Sequence, residues 1–152
     1  LRREEIPLLR EFLDLSIFVP EGQPPLPREI LDTPEFQVYV RNFGKEPHDC
    51  ALVAEAEGQV VGAAWARIME DYGHLDEHTP SLAIALLPSC RGQGWGEQLL
   101  QSLLELLQAR GESGVSLSVQ RENRRAVNLY RKLGFAVAVD KGEEYVMRKE
   151  LR

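Results

Sequence analysis

Arg91-Gly92-Gln93-Gly94-Trp95-Gly96 lies between an apolar run, Ser81–Leu87, and a stretch in which Leu99, Leu100, Leu103, Leu104 and Leu107 recur at helical spacing on one face. A run as short as Ser81–Leu87 suits a buried strand or a helical piece, and the flanking Pro80 and Pro88 favour the strand. The unit is therefore strand, glycine-rich turn, helix, and its chemistry is anion binding. The first amides of a helix have no intrahelical partner and carry partial positive charge. Glycines let a phosphate approach that backbone closely, and Arg91 can add a charge-assisted bond. Two commoner phosphate loops are excluded. The third glycine comes one residue too early for G-x-G-x-x-G, and no Lys-Ser or Lys-Thr follows as in a Walker A loop. Taken alone, the turn equally suits a simple reversal of the chain.

Downstream, Gly111 is placed to end the leucine-rich helix. Val115, Leu117 and Val119 alternate with serines, as in a half-buried strand. A short helix is expected over Asn123–Leu133, closed by Gly134. Phe135–Val139 and Glu144–Leu151 then pair across a turn at Lys141-Gly142-Glu143. Upstream, Cys50–Ala56 and Val60–Met69 flank Glu57-Gly58-Gln59 and read as a β-hairpin, and residues 70–80 read as a polar loop. The first third reads as helices over Glu4–Phe18 and 28–43, separated by a proline-rich loop at 20–27. Thr33 suits an N-cap for Pro34 at the first position of a helix. The order of elements predicts one α/β (α+β) domain over residues 1–152, with a mixed sheet flanked by helices.

A chain of 152 residues can bury one hydrophobic core. With 43% hydrophobic and 28% charged residues it is an ordinary globular composition rather than a disordered one. The net charge of −6 argues against a nucleic-acid partner. The densest basic stretch, Arg121, Arg124, Arg125, Arg131 and Lys132, reads as a solvated helix face. Cys50 and Cys90 form neither metal-ligand spacing nor a disulfide framework, so no metal is expected and a reducing, cytoplasmic setting fits. No apolar run approaches the roughly 20 residues of a membrane span. No signal peptide is read, although the chain begins at Leu1 and not Met, which is compatible with a missing N-terminal piece.

Two stretches together resemble the GNAT acetyltransferase superfamily. Arg91–Gly96 is similar to that family's pyrophosphate motif, Q/R-x-x-G-x-G/A, and Leu86-Leu87-Pro88 before it looks like the family's strand end. About thirty residues on, the run from Asn123 through Ala126, Leu129 and Tyr130 to Gly134-Phe135 resembles N-x-x-A-x-x-L-Y-x-x-x-G-F. The motifs span about residues 82–135 and their joint spacing is specific. The helical first third carries no resemblance, and the family's usual first strand is nearly absent, with Leu1-Arg2 similar to its end.

The resemblance implies the GNAT acyl-CoA N-acyltransferase fold, in which two parallel strands splay apart and hold the pantetheine arm of acetyl-CoA. Here those strands would be Ser81–Leu87 and Val115–Val119. Arg91, Gly92, Gln93, Gly94 and Gly96 would hold the pyrophosphate. The amide near Leu86 would meet the acetyl carbonyl, where negative charge develops. Asn123 matches a residue that bonds pantetheine or orders the cleft, and it also suits the N-cap of the following helix, two roles that are compatible. Tyr130 matches the general acid that supplies or shares a proton with the leaving thiolate. A core tyrosine is the alternative, since Ala126, Tyr130 and Leu133 share a helix face.

A general base is harder to place. A lysine-like amine of pKa about 10.4 costs about 4.6 kcal/mol to deprotonate at pH 7. Many family members use a strand glutamate for this, and Ser81–Leu87 contains no acid. The preceding loop offers His78 or Glu77, with a water relay as the alternative. Trp65 and Arg67 share one face of their strand and are candidates for acceptor binding, against a core Trp and a solvated Arg. The expected reaction moves an acetyl group from acetyl-CoA to a primary amine of a small molecule or peptide by direct attack. A CoA-binding module without catalysis and a transferase of longer acyl groups are the alternatives. Nucleotide hydrolysis is disfavoured because no Mg²⁺ ligand pattern accompanies the turn. An edge strand near the C-terminus would also be able to pair two chains as a homodimer.

Overall fold

The computed structural model describes residues 7–16, 37, 39–69, 74–76, 78–90 and 94–151, with the backbone alone at 14–16 and 88. A helix α1 (Leu8–Ser16) precedes strands β1 (Cys50–Ala56), β2 (Gln59–Arg67) and β3 (Ser81–Leu86). Helix α2 (Trp95–Ala109), strand β4 (Gly114–Gln120), helix α3 (Arg124–Lys132) and strands β5 (Ala136–Asp140) and β6 (Glu144–Glu150) follow. The hairpin turn is Glu57-Gly58 alone, both with positive φ, and Ala56 pairs with Gln59. This is the two-residue turn whose twist matches that of its strands. The expected helix at 28–43 lies mostly outside the described residues. Where it is described, at 39–44, the chain runs in turns, because Asn42 and Gly44 take left-handed φ values of 53° and 96°. Both α2 and α3 end as foreseen at a glycine. Gly111 donates to Gln108 O and Glu112 to Leu107 O. Gly134 donates to Arg131 O and Phe135 to Tyr130 O, so both helices close in the same six-residue lock.

The six strands lie in the order β1-β2-β3-β4-β6-β5. All neighbours are antiparallel except β3 and β4. Side chains alternate across β2: Ala64 and Ala66 join the core under α2, whereas Ala63 and Trp65 join the core under α1. The α2 face buries Leu99, Leu100, Leu103, Leu104 and Leu107. At about 1.5–3 kcal/mol per buried leucine, this is the main anchor of α2 to the sheet. On β4 the serines do not simply face water. Ser116 is fully buried and Ser118 half-buried. The edge strand near the C-terminus is β5, since β6 lies inside the sheet between β4 and β5.

Candidate active site

The β3–β4 pair gives the site its shape. These parallel strands share one register pair, Ser81 with Ser116, where the Ser116 amide donates to the Pro80 carbonyl at 2.9 Å. Beyond it the ladder stops and the strands part, as the expected splay requires. Peptide groups point alternately to the two sides of a strand. The Leu87 amide donates to Val61 O on β2, and the Pro80 carbonyl accepts from β4. With no bulge in the β2–β3 register, the N–H groups of Ile84 and Leu86 must therefore face the gap. On the other side the Arg121 amide donates to Glu143 O on the β6 side. The same alternation turns the peptide groups of Ser118 toward β3. The gap is thus rimmed by backbone donors and acceptors that the sheet does not use.

The open end of the gap runs into a cavity of about 500 Å³ lined by Leu86, Gly94, Gly96, Glu97, Asn123, Arg125, Ala126, Asn128, Leu129 and Lys132. Gly94 caps α2 with φ 83° and ψ −1°, a left-handed conformation that strains any L side chain. A Cβ built on it meets nothing within 4 Å. The glycine is therefore needed for this backbone conformation, and a side chain there would point into open space. Gly96 faces the Leu86 side chain, whose Cδ1 would lie 3.4 Å from an added Cβ. Arg91, Gly92 and Gln93 lie outside the described residues.

Asn123 does what its capping role asked. Its Oδ1 accepts from the Ala126 amide at 3.4 Å, and the residue also lines the cavity. The cavity residues Arg125, Asn128, Leu129 and Lys132 stand one helical turn apart along a single face of α3, a stripe that helical spacing could have revealed. The basic stretch is exposed throughout, as expected, and two of its members, Arg125 and Lys132, also line the cavity. Lys132 Nζ pairs with Glu97 Oε1 at 2.8 Å, tying the end of α3 to the start of α2.

Tyr130 is not part of the cavity lining. It packs against the α2-side core and meets Phe135 edge-on, with ring centroids 5.8 Å apart. Burial pushes its phenol up to about 12, so it holds its proton throughout the physiological range. His78 is exposed in a turn whose backbone amide donates to Asp76 Oδ1 at 2.8 Å. Bonds from the His78 amide and then the Thr79 side chain hold the Asp76 carboxyl below its usual range. This turn lies two residues before Pro80, beside the root of the gap. Glu77 lies outside the described residues.

Trp65 and Arg67 are placed differently from the acceptor-binding expectation. Trp65 is wholly buried, and its Nε1 donates to Tyr39 O at 3.0 Å. Arg67 is 6% exposed, not solvated. Its Nε and Nη2 donate to the two oxygens of Asp49 at 3.1 and 3.2 Å, Nη1 donates to Arg41 O at 2.8 Å, and the guanidinium lies over the Phe43 ring. Both side chains are committed to holding segment 39–49 against the sheet. Of the cysteines, Cys50 is buried, and its thiol is pushed up chiefly by that burial.

A profile of the acetyltransferase (GNAT) family matches residues 15–135. The chain belongs to this family. A mycothiol acetyltransferase of Frankia alni is 37% identical over 96 residues, covering 57% of this chain and 28% of that protein. The chain thus spans little more than a quarter of that relative's length. An N-alpha-acetyltransferase of Sulfurisphaera tokodaii is 35% identical over 99 residues, 60% of this chain and 59% of that protein. Among solved structures, a PaiA N-acetyltransferase from Thermoplasma acidophilum in complex with coenzyme A superposes with a TM-score of 0.71 at 19% identity, covering 99% of this chain and 95% of that one. This likeness shows that the two share a fold. Among the described residues no helix is long and apolar enough to cross a membrane, and no cluster of three or more His, Cys, Asp or Glu could hold a metal ion.

Proposed function

We propose that residues 1–152 form one domain that transfers an acetyl group from acetyl-CoA to a primary amine by direct attack. The observation that carries the reading is the parted β3–β4 pair, whose free backbone groups lead straight to the open N-terminus of α2. A slender arm rich in amides fits the first, and a pyrophosphate fits the second. The coenzyme A of the PaiA structure supports this choice of donor. Acetyl-CoA supplies an activated acyl group on a thiol leaving group. The chain supplies position and charge: the Ile84 and Leu86 amides face the space where carbonyl oxygen charge would develop. Arg91, Gly92, Gln93, Gly94 and Gly96 hold phosphate. Asn123 orders the start of α3, and Tyr130 donates a hydrogen bond to the departing sulfur as charge gathers on it. The amine's proton leaves through water, directly or by way of His78 beside the root of the gap, and the thiolate takes up a proton from that water once the carbon–sulfur bond has broken.

The relatives named for mycothiol and for alpha-amino acetylation set the order of an acceptor screen. A calorimetric titration with acetyl-CoA, CoA and ATP comes first, followed by thiol release with a panel of amines that includes the acceptors those relatives use. Saturable binding of both CoA forms but not ATP, with amine-dependent thiol release, is expected. Binding without turnover on any amine would favour a non-catalytic CoA-binding module. No binding by folded protein would overturn the reading.

A further inference from the structure

The cavity carries a feature that anion binding alone does not explain: a carboxylate at its mouth. Glu97 lies in the first turn of α2, where the helix N-terminus favours negative charge, and Lys132 lies in the last turn of α3, where the C-terminus favours positive charge. The two meet at 2.8 Å across the cavity that Gly94, Gly96, Arg125 and Asn128 also line. The pair is unequally covered, with the Lys132 side chain 68% exposed and that of Glu97 30% exposed. Lys132 can therefore swing to a new partner while Glu97 remains on the wall. A phosphate entering here meets the same positive helix end and the same ammonium that Glu97 already uses.

We propose that Lys132 is a phosphate ligand of the CoA donor and that Glu97 is a built-in competitor for it. This rests on the CoA-binding reading above. In the empty protein Glu97 holds Lys132. On binding, a phosphate takes the ammonium and leaves the carboxylate behind, and on release Glu97 recaptures Lys132. Glu97 thus keeps the affinity for spent CoA low and its departure fast. The phosphate is either the pyrophosphate or the 3′-phosphate of the cofactor, both of which offer anionic oxygens to an ammonium.

The test is titration of CoA and dephospho-CoA into wild type, Glu97→Gln, Lys132→Gln and Lys132→Arg, with CoA dissociation followed by stopped flow. Removing one partner of an exposed pair changes affinity by about two- to five-fold. Glu97→Gln should therefore tighten CoA by about that factor, mostly by slowing dissociation, and the gain should shrink as salt rises. Lys132→Gln should weaken CoA about five- to ten-fold, with Lys132→Arg close to wild type. A loss confined to CoA assigns the 3′-phosphate, and an equal loss with dephospho-CoA assigns the pyrophosphate. If wild type binds CoA but Glu97→Gln leaves affinity unchanged or weaker, the competitor role is wrong. If Lys132→Gln binds both forms normally, the phosphate contact is wrong. Failure of wild type to bind CoA would overturn both this inference and the reading beneath it.

Discussion

Gly94 allows backbone strain and cofactor repulsion to be measured separately. Its φ of 83° costs a side-chain-bearing residue about 1–2 kcal/mol. The space around it is open, so no clash adds to that. Gly94→Ala should lower stability by this amount, about 2–8 °C in Tm for a chain of this size, and keep most CoA affinity. Gly94→Asn should lose less, because Asn tolerates the left-handed region and can cap a helix. Gly94→Glu carries the same backbone strain plus a carboxylate facing the phosphate space. At ~5 Å and an effective dielectric constant of about 20, two like charges repel by about 3 kcal/mol, more than a hundredfold in Kd. Thermal melting of the three variants measures the strain, and calorimetry with CoA measures the repulsion. Gly94→Glu should melt near Gly94→Ala and bind CoA at least a hundredfold more weakly. Equal CoA affinity in the two variants would mean that no phosphate lies before α2, and the assignment of the site would fall.

Other residues give sharper single readings. Tyr130→Phe should lower kcat by about a hundredfold with CoA affinity retained. An unchanged rate would remove Tyr130 from the chemistry. Because the folded protein raises the Tyr130 pKa from 10 to about 12, the unfolded chain loses this proton first as pH rises. The associated stability is complete below pH 10 and is lost between pH 10 and 12, amounting to roughly 2–3 kcal/mol. Urea unfolding at pH 8 and pH 11 should show about half of that loss, about 1.4 kcal/mol, in wild type and a smaller one in Tyr130→Phe. Asp49→Asn strands the Arg67 guanidinium in the core and should cost about 3–5 kcal/mol in the same assay. A cost below 1 kcal/mol would show that the pair does not hold segment 39–49. Asn123→Ala should cost about 0.5–1 kcal/mol, since the capping bond at 3.4 Å is long.

What could be read from the sequence was local, and what could not was brought together by tertiary contact. The leucine stripe of α2, the caps at Asn123, Gly111 and Gly134, and the alternation of β2 are each fixed by neighbours within a few positions. The structure keeps all of them. The partner of Arg67 stands 18 residues away on another segment, so alternation could give its face but not its burial or its ion pair. Trp65 was open to a cleft or a core reading for the same reason: only the packing of α1 and 39–43 decides which face of β2 is dry. Lys132 and Arg125 are solvent-exposed charges, as read, but their place on a cavity wall was not legible, because the wall opposite, the start of α2, lies about thirty residues upstream. The stripe at 125, 128, 129 and 132 was legible as a helix face, but not what that face meets.

The phenol of Tyr130 also bears on how the proposed proton transfer is shared. A CoA-like thiol has a pKa of about 8.5, against about 12 for Tyr130. Complete transfer from the phenol to a free thiolate would therefore run uphill by about 3.5 units, near 5 kcal/mol. Tyr130 cannot be the final source of the thiol's proton. That proton is one the amine sheds, and it reaches sulfur through water after the carbon–sulfur bond has broken. Tyr130 can still donate a hydrogen bond that strengthens as charge gathers on sulfur, which is stabilisation felt in the transition state and not in the bound donor. The burial that raises its pKa thus keeps it a donor at every working pH and ties its contribution to the sulfur's developing charge. This is why the expected cost of Tyr130→Phe lies near a hundredfold, at the low end of acid catalysis, and why it should fall on kcat and leave CoA affinity alone.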